Sequence, residues 1–163
     1  MSKQNSLYTV DAAGTLIPAT GEQIIAAARR HIARRFHRGT CLDSPMAARD
    51  YLTMKLATRE FESFCVFYLD NRHRVLEFAE LFRGTIDGAS VYPREVVKEA
   101  LRHNAAALIC CHQHPSGVAE PSAADELITR RLRDALQLVQ IKLLDHLLVA
   151  GDQVVSFAQR GLL

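Results

Sequence analysis

No stretch of this 163-residue sequence approaches the roughly 18 consecutive apolar residues that a membrane span needs. The longest apolar run, Ala105 to Cys111, is short and ends in histidine. The N-terminal residues MSKQNSLYTVDAAG lack the apolar core of a secretory signal. Only four cysteines occur, Cys41, Cys65, Cys110 and Cys111, and their spacing fits neither a disulfide framework nor a zinc knuckle. They read as buried thiols, so a reducing compartment, the cytoplasm, is expected. Neither sign of charge dominates: 20 Lys and Arg face 18 Asp and Glu, a net charge of +2. That balance does not establish a nucleic-acid partner, which requires charge gathered on one face. Internal repeats and low-complexity tracts are missing. So are a His-Glu-x-x-His helix, a Gly-x-Ser-x-Gly elbow and a Walker loop. The His-x-Glu and Pro-Cys-x-x-Cys pair of the zinc deaminases is absent too.

What is present is an ordinary globular composition, 48% hydrophobic and 23% charged, in a chain long enough for one compact domain. Residues 1–20 are small and polar and read as a loose lead-in. From Glu22 to about Arg38, Ile24, Ile25, Ala28, Ile32 and Phe36 recur at helical spacing, opposite Arg29, Arg30, Arg34, Arg35 and Arg38. Asp43-Ser44-Pro45 starts a second helix, which runs to about Ala57. Phe64 to Leu69 is an aromatic and β-branched strand, turning at Asp70-Asn71 into a second strand through Phe82. Pro93 opens a helix to about His103, closed by Asn104. Ala106–Cys111 reads as a short buried strand, 112–121 as a Pro/Gly loop, and Ser122 to about Val139 as a helix. Two final strands, Ile141–Ala150 and Val154–Phe157, flank a tight turn at Gly151-Asp152. Strands alternating with helices predict an α/β layered domain with a mixed sheet flanked by helices. The boundary falls at 44/45, between a lead-in with an amphipathic helix (1–44) and the domain proper (45–163).

The chemistry concentrates in residues 112–125, HQHPSGVAEPSAAD, where a buried strand gives way to a helix. Two histidines at i and i+2 of an extended segment project from one side, so His112 and His114 can reach one ion. The Pro/Gly loop turns the chain back and brings Asp125, in the first helical turn, to the same point. Two nitrogens and a carboxylate oxygen suit zinc, and three protein ligands leave a fourth position for water, the arrangement of a hydrolytic zinc. Ser122-x-x-Asp125 also reads as a helix-capping pattern. Ser122 can serve twice, capping the helix while its hydroxyl faces a substrate oxyanion.

His-x-His, seven residues, then Ser-x-x-Asp resembles the metal motif of JAMM (MPN-type) metalloproteases. The surrounding residues resemble more specifically the RadC family: Gly84-Thr85, Pro93-Arg94-Glu95, His114-Pro115-Ser116-Gly117, Pro121-Ser122-x-x-Asp125 and Asp145-His146 fall in that family's order. The resemblance spans roughly residues 45–163. The one departure is Gln113, where the family usually has Asn and JAMM proteases Ser or Thr. It implies the JAMM/MPN, cytidine-deaminase-like architecture and a zinc peptidase or isopeptidase acting on a peptide or protein. It also implies a general-base glutamate on an earlier strand. Glu60 and Glu62 are the candidates, and the family pattern, with the acid two residues before the aromatic Phe64, selects Glu62. Longer RadC proteins carry an N-terminal helix-hairpin-helix, a feature not recognised in residues 1–44.

Asp145-His146 within an apolar strand reads either as support for the zinc ligands or as an ordinary buried pair. His31, His37, His73 and His103 lack partners at useful spacing and read as surface residues. The Arg-rich face of residues 29–38 reads as a solvated helix face. A DNA-binding role and a metal-containing scaffold that acts by partner binding stand as rival functions.

Overall fold

The structure, a computed structural model, describes residues 7–35, 39, 41–42, 45–56, 60–84 and 90–163. It divides into two compact units, Met1–Arg35 and Phe36–Leu163. Phe36, His37, Arg38, Asp43, Ser44 and Thr85, all named above, lie outside the described residues.

The first unit corrects the expected loose lead-in. Strands β1 (Tyr8–Val10) and β2 (Leu16–Pro18) pair antiparallel. Asp11 closes their turn, its Oδ1 accepting from the amides of Ala13 and Thr15, both at 2.9 Å. Helix α1 (Gly21–Arg35) follows behind a capping box. Thr20 Oγ1 accepts from the Gln23 amide at 3.2 Å, and Gln23 Oε1 accepts from the Thr20 amide at 2.9 Å. Of the expected apolar stripe, Ile24 and Ala28 are half-buried, whereas Ile25 is 51% exposed.

The second unit begins its regular structure with α2 (Pro45–Leu56) and then builds a five-stranded sheet from β3 (Ser63–Leu69), β4 (Val75–Arg83), β5 (Ala107–Gln113), β6 (Lys142–Ala150) and β7 (Gln153–Ser156). The strand order is β4-β3-β5-β6-β7. Only β5 and β6 run parallel, and helix α4 (Ala123–Gln137) joins them; every other neighbouring pair is antiparallel. Helix α3 (Pro93–Arg102) crosses from the edge strand β4 to β5 with Pro93 in its first turn, where the missing N–H costs nothing. The expected mixed α/β layered fold is therefore the observed one.

Every residue of β3 is buried, because both faces of that strand are covered. On one face Phe64, Val66 and Tyr68 pack with Leu108 and Cys110 of β5, Val96 and Ala100 of α3, and Leu132 and Leu136 of α4. On the other, Tyr51 of α2 meets Phe67 at 5.7 Å and Phe78 at 5.2 Å between ring centroids. Cys110 and Cys111 point to opposite faces as expected: Cys110 joins the α3–α4 core, and the Cys111 thiol donates to the carbonyl of Cys65. Among the described residues no helix is long and apolar enough to cross a membrane.

Two expectations about this unit change. Strand β5 does not stop at Cys111 but runs on through His112 and Gln113. Nor is His103 a bare surface residue. Its ring stacks on Tyr68 at 4.7 Å, and Nε2 lies 3.8 Å from Glu99.

Candidate metal centre

The strand alternation of β5 turns His112 toward the α3–α4 side of the sheet, and His114, just beyond the strand end, follows it. His114 stays in register because its amide donates to the carbonyl of Val149 on β6 at 2.9 Å. The following loop then reverses. Gly117 occupies φ +75°, a region in which a Cβ would be strained, and its amide bonds the His114 carbonyl at 3.0 Å. The chain re-enters helix at Ser122, the N-cap of α4.

Asp125 arrives at the ion position through that cap. Its amide donates to Ser122 Oγ at 3.2 Å, while its Oδ2 accepts from the Ser122 amide at 2.7 Å and from the Ser122 hydroxyl at 2.6 Å. The capping box is present, and it leaves Asp125 within the group that could hold a metal, so the two readings of Ser122-x-x-Asp125 are compatible. The capping box spends Oδ2 and leaves Oδ1 directed at His112, 3.2 Å from Nε2.

The three donor groups meet closely. His112 Nε2 and His114 Nε2 are 3.3 Å apart, and His114 Nε2 is 3.4 Å from Asp125 Oδ2. Donors held tetrahedrally at zinc-like bond lengths of about 2.05 Å would stand about 3.3 Å from one another. The His112–His114 separation matches that figure, and each nitrogen lies 3.2–3.4 Å from one Asp125 oxygen, so the group could hold a small cation. Among the described residues this is the one cluster of three such side chains that can hold a metal.

Hydrogen-bond polarity strengthens the fit. The Asp125 carbonyl can only accept, so Thr129 Oγ1, 2.6 Å away on α4, donates to it. The Thr129 oxygen then accepts from His146 Nδ1 at 2.6 Å, which leaves His146 Nε2 to accept from His112 Nδ1 at 2.8 Å. His112 thus carries its proton on Nδ1 and presents a lone pair at Nε2. His114 does likewise: its Nδ1 lies 3.0 Å from the carbonyl of Val118, another obligate acceptor. Two lone pairs and a carboxylate facing each other at 3.3 Å repel unless a cation stands among them, either a metal or a proton.

The electrostatics agree. The hydrogen bond to Asp125 raises the His114 pKa above its usual value, helped by the bond to Val118 and by the charges of Asp125 and Glu62, against the opposing effect of burial. Burial alone would raise the Asp125 carboxyl, but with a proton among the three groups the contacts with His112 and His114, together with the Ser122 hydrogen bond, hold it well below the usual carboxylate range. His146 is fully buried and stays neutral, its pKa driven down by desolvation and by His112. Its ring lies between Phe157, stacked at 4.6 Å, and Phe64, edge-on at 5.5 Å.

The donors open into a cleft of about 450 Å³, which Glu62 and Ser122 also line. Glu60 is exposed and does not line it, so of the two base candidates only Glu62 reaches the site. The Asp145-His146 pair divides: His146 supports His112, and Asp145 works on the C-terminal turn instead. Its Oδ1 accepts from the amides of His146 and Ala158 at 2.7 and 3.0 Å, and its Oδ2 from Ser156 Oγ at 2.6 Å.

Gln113 is the residue whose part the sequence did not disclose. Facing away from the histidines and 2% exposed, its Oε1 accepts from the Ser63 amide at 3.0 Å and its Nε2 donates to the Phe61 carbonyl. The β3–β5 ladder pairs Phe64 with His112 and goes no further. Beyond that point the Gln113 carboxamide takes over, gripping the backbone on either side of Glu62. Thr129 was missed as well. Four residues after Asp125 on the same helix, it was open to a spacing argument.

Comparison with known proteins agrees with this construction. The family whose sequence profile matches is the RadC-like JAB domain, over residues 42–162. The chain is 61% identical over 142 residues to a UPF0758 protein of Thioalkalivibrio sulfidiphilus, covering 87% of this chain and 63% of that one. It is 59% identical over 135 residues to a UPF0758 protein of Nitrosococcus oceani (83% and 60%), and 55% over 140 residues to one of Vibrio cholerae (86% and 62%). The chain thus spans about three-fifths of the length of the curated relatives it matches.

Proposed function

The chain belongs to the RadC-like JAB domain family, and from that premise we propose that it is a zinc-dependent peptidase or isopeptidase of JAMM type. Zinc is the metal favoured by two imidazole nitrogens and one carboxylate oxygen at tetrahedral spacing. When bound, it would polarise the carbonyl under attack and acidify water. The chain's own residues supply the remainder. His112, His114 and Asp125 hold the ion, with His146 and Thr129 fixing which nitrogen of His112 faces it. Glu62, on the same cleft, takes the proton of the attacking water and passes it to the leaving amine. Ser122 serves the oxyanion once its hydroxyl proton turns from Asp125 toward the cleft, a rotation that leaves its oxygen accepting from the Asp125 amide.

The observation that carries this reading is the pair of Nε2 lone pairs converging with Asp125 at the floor of a cleft that Glu62 lines. The test is elemental analysis followed by a peptide and isopeptide screen. Wild type should hold about one zinc per chain and the His112→Ala/His114→Ala double variant none. Glu62→Gln should keep the zinc and lose at least about a hundredfold in turnover. Full zinc with no turnover on any amide, and a biological role that survives Glu62→Gln, would leave a metal-containing scaffold.

A further inference from the structure

The cleft lining includes a guanidinium, that of Arg131, which neither zinc binding nor proton transfer uses. Helix α4 forms one wall, presenting Ala124, Asp125, Leu127, Ile128 and Arg131 to it. Arg131 lies six positions after Asp125, roughly 9 Å along a helix axis. Between them Leu127, 44% exposed, and Ile128 form an apolar step, continued by Phe64 and Val91. Arg131 is also distinguished from its neighbours on the helix. Arg130 is paired with Glu126 at 3.2 Å and Arg133 with Asp134 at 3.0 Å. Arg131, the arginine of the three that lines the cleft, meets no carboxylate among the described residues.

Charge balance points the same way. The carboxylates lining the cleft are Glu62 and Asp125, and the guanidinium is that of Arg131. With a divalent cation in place the sum would be positive, and along α4 the apolar Leu127 and Ile128 fall between Asp125 and Arg131. A cleft of that form matches an amide substrate with its carbonyl at the metal, an apolar middle and an anion beyond. At about 3.3–3.6 Å per extended residue, 9 Å is two to three residues.

We propose that Arg131 is a specificity-determining residue, selecting peptide substrates that carry a carboxylate two to three residues from the scissile amide. The inference rests on the hydrolase reading above and adds the substrate class. Arg131 contributes a forked, always-charged donor set suited to a carboxylate. Because its head is solvated, the expected discrimination is moderate rather than absolute.

The test uses binding, so it stands apart from turnover. Two short peptidyl hydroxamates are compared by calorimetry, identical except for glutamate or glutamine two residues from the metal-binding group. The proteins are zinc-loaded wild type, Arg131→Ala and Arg131→Glu, with zinc content measured on each. Wild type should bind the glutamate probe roughly three- to tenfold more tightly, less so at high salt. Arg131→Ala should lose the preference and Arg131→Glu reverse it. Equal affinity for the two probes on zinc-loaded wild type overturns the inference alone, as does a preference that survives in Arg131→Ala. A wild type that takes up no zinc, or binds neither probe, overturns the hydrolase reading and this inference with it.

Discussion

Thr129 carries one hydroxyl, and the direction of its proton sets the tautomers of two imidazoles. Replacing it with valine keeps the shape and removes the donor to the Asp125 carbonyl and the acceptor for His146. Without that anchor His146 can exchange tautomers, and His112 no longer presents its Nε2 lone pair reliably. Thr129→Val should weaken zinc affinity about 10–100-fold, measured by competition with a chromophoric chelator, while the ligands themselves remain. Gln113 acts on the other wall. Gln113→Leu would remove the hydrogen bonds to the Ser63 amide and the Phe61 carbonyl, at about 0.5–1.5 kcal/mol for each. The expected outcome is lower thermal stability with zinc stoichiometry intact, and faster hydrogen exchange in the segment that carries Glu62. His114 provides a pH signature. Its folded pKa is raised above 6.5, so in the metal-free protein its ion pair with Asp125 stabilises fully below about pH 6.5. That contribution fades as pH rises through the folded value. Melting of metal-free wild type should therefore lose ground to metal-free His114→Ala as pH rises above about 6.5.

At the scale of elements, the boundaries that were legible carried local chemistry. Pro45 and Pro93 mark first turns, and Ser122-x-x-Asp125 marks the start of α4, because caps and prolines act within a few residues. The end of β5 was misplaced because His112 and Gln113 are polar yet buried, which breaks the apolar run just where the strand reaches the site. The β1–β2 hairpin escaped notice for a different reason. All but one of its strand residues are exposed, so no buried face imposes an alternation on the sequence. Gln113 itself could not be assigned locally, its partners lying 50 and 52 residues earlier in the chain. The cap of α4 yields a prediction at this scale. Ser122→Ala removes the acceptor for the Asp125 amide and one donor to Oδ2, and should cost about 1 kcal/mol in chemical denaturation. Zinc affinity should fall with it, because the same bonds aim Asp125.

For the whole molecule, a metal held as proposed would be a ligand of the folded second unit, the unit that contains His112, His114 and Asp125. At a free zinc concentration about 100 times the dissociation constant, that unit should gain about 2.7 kcal/mol. Calorimetric scans with and without a chelator would register it as an upward shift of the transition to which residues 36–163 contribute. The layered fold and the grouping of His112, His114 and Asp125 were readable because α/β alternation and the motif are both continuous in sequence. Of the wall that faces them, Glu62 was reached only through the family pattern, since its approach to the cleft depends on sheet pairing between distant segments.

This separation along the chain has a kinetic consequence. His112, His114 and Asp125 fall within one strand-loop-helix segment, and a loop that short closes at small entropic cost. Glu62 must be delivered by β3, whose pairing with β5 closes a far longer loop. The residues of the candidate metal pocket can thus come together early in folding, before the strand that follows Glu62 docks. During refolding, zinc capture should run ahead of recovered catalytic competence, and the lag between the two would time the arrival of β3.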